Sequence, residues 1–261
     1  MNRRLVCFLF LLINGAASRS VLAQPPKPED APGTDVQIGG SFVGVRGNAD
    51  SQTLGADFSM SYRQAPWRFD AAASTVHTSG DNVQAIDRDI ESTRVKRDLT
   101  PIIAATAGQK LEHDPNAGID LRSIIDGGLA WKLVRQPGWT LDGITAVGWN
   151  HEHPVESLEA TVPTTNHAVG VLELLSKVPF NASSSTTQRF TWYPDLTNYD
   201  GTRVEAEITA QAAMSQRIAL KLGYLVRWVN VPLPGLKNTD TTTTASIVVT
   251  WKNPPPPPKA P

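Results

Sequence analysis

The stretch RIALKLGYLVRWVN, Arg217–Asn230, separates cleanly into two faces at period two. Ile218, Leu220, Leu222, Tyr224, Val226 and Trp228 fall on one face, and Arg217, Lys221, Gly223 and Arg227 on the other. The run is about twice the usual strand length of a soluble sheet. A strand that crosses a bilayer needs roughly 9 to 11 residues, apolar toward lipid and polar toward a wet interior, with aromatics at the interfaces. The stretch meets all three conditions, with Tyr224 and Trp228 as interface aromatics.

The same pattern recurs along the chain. Leu54, Ala56, Phe58, Met60 and Tyr62 oppose Thr53, Gly55, Asp57, Ser59 and Ser61. Val204, Ala206, Ile208 and Ala210 oppose Arg203, Glu205, Glu207 and Thr209, and Ala245, Ile247, Val249 and Trp251 oppose Thr244, Ser246 and Thr250. Eleven turn signals, among them Gln64-Ala65-Pro66, Gln136-Pro137-Gly138 and Ser215-Gln216, cut residues 36–252 into twelve strand-sized segments without a sustained helical period. The pattern is weakest between residues 89 and 112. The fold class read from this is all-β: a single antiparallel transmembrane barrel of about twelve strands. An even count returns the chain to its starting side, and turns alternate between short ones and longer ones such as 77–90, 151–167 and 232–239. Trp67, Trp131, Trp139 and Trp251 fall toward the short-turn ends of their segments, and Trp149, Trp192 and Trp228 toward the other ends, as two aromatic girdles require. A secreted, soluble β-protein that binds a ligand is the alternative, since a sandwich core also holds tryptophans.

Outward from this body, residues 1–23 carry Arg3 and Arg4, an apolar run from Leu5 to Ile13, and Val21-Leu22-Ala23 before Gln24. This is the pattern of a secretory signal peptide, too short to span as a helix. Residues 24–35 and 253–261 are proline-rich tails. The only cysteine, Cys7, lies in the leader, so the exported chain has no disulfide framework. With 24 basic and 25 acidic residues, three of the basic ones in the leader, nothing points to nucleic acid. The expected location is the outer membrane of a Gram-negative-type bacterium. The expected partners are its lipid and, during biogenesis, the barrel assembly machinery and periplasmic chaperones.

Three segments carry a family resemblance: Gly47-Asn48-Ala49-Asp50-Ser51; Gly118-Ile119-Asp120-Leu121-Arg122; and the block from Tyr224 to Trp251, with Val231-Pro232-Leu233-Pro234-Gly235 and Thr239-Asp240-Thr241. Together they resemble the YdiY-like salt-induced outer-membrane protein family, a bacterial domain of unknown function. The resemblance covers nearly all of residues 36–251 and implies an outer-membrane barrel with no established activity. The chain departs from the family at Ala49, where threonine is common, and in the residues that follow Trp251.

Candidate chemistry is sparse. His151-Glu152-His153 places two imidazoles on one side of a strand end, with His167 available across the hairpin, but the ligand spacing is not distinctive. No metal or cofactor is expected. A barrel hydrolase would need a hydroxyl nucleophile beside a histidine, and neither Ser157 nor Ser183–Ser185 sits in a Gly-x-Ser-x-Gly elbow. Inward parity instead gathers charge: Arg68, Asp70, Arg94, Lys96, Glu173, Lys177, Arg203, Glu205, Glu207, Arg217, Lys221 and Arg227. Mixed charge in a lumen fits either a plug, in a barrel that serves envelope maintenance, or a narrow passive ion or small-solute path. Glu205 or Glu207 with Lys221 or Arg217 are the expected pairs, being on consecutive strands.

Overall fold

In a computed structural model, residues 32–45, 51–80, 86–155, 164–232 and 236–253 are described. The signal peptide, most of both proline tails, the segment at Gly47–Asp50 and Ser157 lie outside them. Twelve strands follow in order: β1 Gly33–Val45, β2 Ser51–Gln64, β3 Trp67–Gly80, β4 Ile86–Asp98, β5 Ile103–Asp114, β6 Ile119–Gln136, β7 Trp139–Pro154, β8 Thr165–Pro179, β9 Ser184–Tyr193, β10 Arg203–Ala213, β11 Ile218–Val229 and β12 Thr239–Asn253. Each pairs antiparallel with its chain neighbours, and β12 pairs β1, so the sheet closes. Closure leaves every wall residue one face toward the lumen and one toward the surroundings.

β1 begins at Gly33, inside the expected tail, because Gly33 to Asp35 find partners at Arg63 to Ser61 of β2 and Thr34 pairs with Asn253 of β12.

Three of the five short turns are closed by side-chain oxygens that stand in for ladder partners. Thr100 Oγ1 accepts from the Ile103 N–H at 3.0 Å, Asn181 Oδ1 from those of Ser183 and Ser184 at 2.8 Å each, and Ser215 Oγ from that of Ile218 at 3.1 Å. At the opposite end, a 3-10 turn at Pro115–Ala117 joins β5 to β6. Asp114 caps its start and Gly118, at φ 75°, ends it in the left-handed region.

The outer face is apolar and bare. Val147 is 66% exposed and Ile125 61%, with Phe58, Leu174, Ile208, Leu222 and Ile247 also exposed. A water-soluble monomer does not leave large apolar side chains bare on strand after strand. All seven tryptophans stand on this outer face. Trp67 opens β3, Trp139 opens β7 and Trp251 is near the end of β12, whereas Trp192 and Trp228 are the penultimate residues of β9 and β11 at the other end. Trp131 and Trp139 donate indole N–H groups to Thr145 Oγ1 and Ser176 Oγ, each at 3.0 Å.

One seam is incomplete. Among the described residues the β1–β12 ladder runs from Thr34↔Asn253 to Gly40↔Ile247 and stops. Beyond it, Ser41–Val45 pair with β2 alone and Thr239–Ser246 with β11 alone.

Candidate functional site

The lumen has two storeys. Toward the long loops a plate of charged side chains crosses it. Arg227 on β11 donates to Glu112 at 2.6 Å and to Asp114 at 2.7 Å, both on β5, the opposite side of a twelve-stranded ring. Arg122 on β6 binds Glu112 at 3.0 Å and Glu152 of β7 at 2.7 Å. Arg203 on β10 reaches Asn150 at 3.2 Å and lies 3.6 Å from Glu152, while Lys110 meets Glu205 at 2.5 Å. Arg88 adds Thr242 at 3.1 Å and Asp114 at 3.8 Å. Glu112 and Asp114 are each only 2% exposed, and Asn150 is fully buried. Beside the ions, inward-facing Ile124, Val169, Val171 and Tyr193 form an apolar cluster that fills the β6–β9 side. The Tyr193 ring takes Lys110 and Arg203, each 5.3 Å from its centroid. Charges this dry are tolerated only because each has opposite charge close by: Glu112, Asp114, Arg122 and Arg227 at hydrogen-bond range, Arg203 and Arg88 at 3.6 and 3.8 Å.

Below the plate lies a cavity of about 730 Å³ that reaches the short-turn end. Asp35, Arg63, Asp98, Lys132 and Lys177 line its lower rim, and Lys110, Glu205 and Tyr193 are in its roof. Two of its ion pairs are looser or wetter. Lys96 is 3.5 Å from Asp70, and Lys221 is 2.9 Å from Asp57 with both side chains over a quarter exposed. Arg94 holds Asp126 with both guanidinium nitrogens at 2.8 Å, and Arg189 stands directly across the β9–β10 ladder from Glu207.

The inward-parity residues are distributed over both storeys. Arg203, Glu205 and Arg227 belong to the plate or its underside. Arg68, Asp70, Arg94, Lys96, Glu173, Lys177, Glu207 and Lys221 line the cavity. Arg217 does neither: it is exposed in the β10–β11 turn, before β11 begins. The expected Glu–Lys pairs on consecutive strands do not form, because the register sets Lys221 opposite Gln211, well below Glu205 and Glu207. Lys221 crosses the seam to Asp57 instead, passing over Gly39 and Ser246; a Cβ at Gly39 would overlap the Asp57 carboxylate.

The histidines do not converge. His151 and His153 point outward next to Trp149, with His151 Nδ1 2.7 Å from Asn166 Oδ1 and His153 3.3 Å from Asp120. His167, opposite inward-facing Asn150, lies on the other face, 3.9 Å from Asp195. Alternation separates neighbours in the hairpin as surely as it joins i and i+2. No group of three metal-ligating side chains occurs among the described residues.

Glu112, Asp114, Arg122, Glu152, Lys110 and Asn150, the centre of the plate, were not singled out as lumen residues by sequence. The available signal was Lys110, Glu112 and Asp114 at period two running into Pro115. It was obscured because neighbouring β4 carries Asp87, Asp89 and Glu91 on its outer face as well, so both of its faces read polar.

Above the plate, Asp195 organises the β9–β10 loop. It accepts from the backbone N–H groups of Thr197 at 2.8 Å, Gly201 at 3.1 Å and Asn198 at 3.3 Å. Burial by itself would raise its pKa, and these three donors outweigh burial and hold the carboxyl below its ordinary value.

A closed, antiparallel, twelve-stranded barrel with an apolar girth and a charged interior defines the class of outer-membrane barrels. The family described as "Protein of unknown function, DUF481" matches residues 36–251, and the chain belongs to it. Among solved structures, an outer membrane channel from Pseudomonas putida F1 is similar at TM-score 0.50 and 10% identity, covering 88% of this chain and 100% of that one. The translocator domain of the autotransporter NalP from Neisseria meningitidis aligns at TM-score 0.45 and 13% identity, over 85% of this chain and 89% of its own. The NanC porin aligns at TM-score 0.45 and 14% identity, over 83% and 97%. No curated protein sequence matches.

Proposed function

We propose that this protein resides in the outer membrane of a Gram-negative-type bacterium, exported by the signal peptide at residues 1–23 and inserted by the barrel assembly machinery with periplasmic chaperones. Its lumen is a narrow passage for ions and small solutes that rests closed. Short turns face the periplasm in such barrels, so the cavity opens there and the charge plate faces outward. The observation that carries this reading is the polar cavity of about 730 Å³ running from the short-turn end up to the plate. A barrel acting only as wall has no use for a wet volume inside it many times that of a water molecule.

Planar-bilayer recording tests it. The wild-type barrel stays silent or conducts in rare small events. The double truncation Glu112→Ala with Arg227→Ala removes the centre of the plate while keeping net charge, and it gives sustained, stepwise conductance. Heat-modifiable gel mobility confirms that the variant is folded. A folded double variant as silent as wild type overturns the passage.

A further inference from the structure

At the level where the β1–β12 ladder stops, the wall has a notch of about 460 Å³, lined by Gly40 and Ser41 of β1, Leu54 and Gly55 of β2, Leu220 of β11, and Ala245, Ser246 and Ile247 of β12. Leu54, Leu220 and Ile247 stand on the outer face and are exposed. Ser41, Gly55 and Ser246 line both the notch and the lumen cavity. The notch and the lumen cavity thus meet the same thin piece of wall from its two sides, apolar at the outer lip and hydroxyl-bearing at the inner one.

We propose that this notch is a lateral portal, through which a small single-chain amphiphile moves between the lumen and the outer leaflet, head toward the lumen and tail toward lipid. The inference rests on the reading of the lumen as a passage and supplies the exit that the plate denies along the axis. Three observations bear on it. The unzipped stretch of β1, Ser41–Val45, is about 16 Å long at 3.3 Å per residue, and the notch lies at its start, at Gly40 and Ser41. Bare strand edges are not left facing hydrocarbon, because each unsatisfied backbone group there costs several kcal/mol. Here Ser41 of β1 and inward-facing Thr242, Thr244 and Ser246 of β12 border the wet cavity and put hydroxyls at the two facing edges. Finally, the Lys221–Asp57 pair spans the inner side of the seam beside the notch, Lys221 being the register partner of Ser246. It closes the lower lip and sets a cation where an anionic head would arrive. An amphiphile satisfies both surfaces; a purely polar solute leaves the apolar lip unfilled.

The experiment uses the whole barrel in liposomes with Cys7→Ser, so that an introduced cysteine is the only thiol. Ser246→Cys faces the lumen at the notch, and Ser59→Cys faces the lumen beside the closed part of the seam, where Gln37 pairs with Thr250. Each is offered a charged methanethiosulfonate from water or a long-chain alkyl maleimide dissolved in the bilayer. Both cysteines react with the aqueous reagent, and Ser246→Cys alone reacts with the bilayer reagent. Adding Gly40→Trp abolishes that second reaction and leaves the first. A Cβ at Gly40 meets nothing within 4 Å, so the substitution fits the wall, and Gly40→Leu serves as a smaller second block. Dodecanoate protects Ser246→Cys from the bilayer reagent and inorganic phosphate does not. The portal is overturned if Ser246→Cys reacts from the bilayer no faster than Ser59→Cys, or if neither Gly40 variant slows it. Equal protection by phosphate, or none by dodecanoate, overturns the amphiphile. Portal labelling together with silent plate-truncated barrels removes the axial passage and not the portal; conductance without labelling does the reverse.

Discussion

The plate and the cavity below it use the same side chains under opposite conditions. Arg227 and Arg122 hold buried carboxylates at 2.6 to 3.0 Å with almost no exposure. Lys221 and Lys96 meet theirs at 2.9 and 3.5 Å in partly exposed surroundings. In the plate a charge has no water to fall back on, so its partner is obligatory; at Lys221 and Lys96 in the cavity the partner is optional. The same arginine-and-acid composition thus closes the lumen at one level and merely wets it at the other. Function depends on which condition holds where.

The comparison breaks most readily at Arg227. Arg227→Leu leaves Glu112 and Asp114 short of their shared cation, and losing one side of a buried pair costs about 3–5 kcal/mol. The unfolding midpoint in urea, followed by tryptophan fluorescence in lipid, falls by a corresponding amount. A change within error would mean that the plate is hydrated and that the two storeys are one environment.

Lys221→Met sharpens the same contrast from the wet side. Its ion pair is solvent-screened, so its loss shifts stability by about 1 kcal/mol or less. What changes is the field in the passage: in the plate-truncated background the reversal potential moves toward cation preference. A stability loss as large as that of Arg227→Leu would make the Lys221–Asp57 pair a structural clasp of the seam and remove the distinction between storeys.

How much of this was legible in the chain follows from what alternation encodes. Period two with apolar residues on one side is imposed by lipid, so the strands at 54–62, 204–210 and 218–228 and the twelve-strand count could be read directly. Inward residues obey no such rule. Val169 and Val171 point into the lumen while Leu172 and Leu174 on the same strand point out, so the upper part of β8 is apolar on both sides and its plug is invisible in the pattern. Pairing across the lumen was illegible for a different reason. Arg227 finds Glu112 from 115 positions away, and nothing local relates strands on opposite sides of a ring. Register misled locally too, since one hairpin sets Lys221 against Gln211 rather than a glutamate. The early end of the β1–β12 ladder had no sequence mark beyond Gly39-Gly40 and the threonine run at 241–244.

A third way to neutralise a buried carboxylate lies above the plate, and it gives the smallest effect. Asp195 has no arginine; backbone N–H groups of Thr197, Asn198 and Gly201 do the work, each a partial charge fixed by the loop. Because its folded pKa lies below the unfolded value of about 3.9, its contribution is complete above that pH and is lost as pH falls through it toward the folded value. Amide exchange at Thr197, Asn198 and Gly201 should therefore be flat from neutral pH down to about 4, after allowance for the intrinsic pH dependence of exchange, and lose protection below it. Asp195→Asn keeps an acceptor oxygen for one side of the loop and gives up the other, so it lowers protection at every pH and removes the acid step. An acid step that survives in Asp195→Asn would assign it to the plate carboxylates, and the loop would then be reporting on the ion pairs beneath it rather than on its own turn.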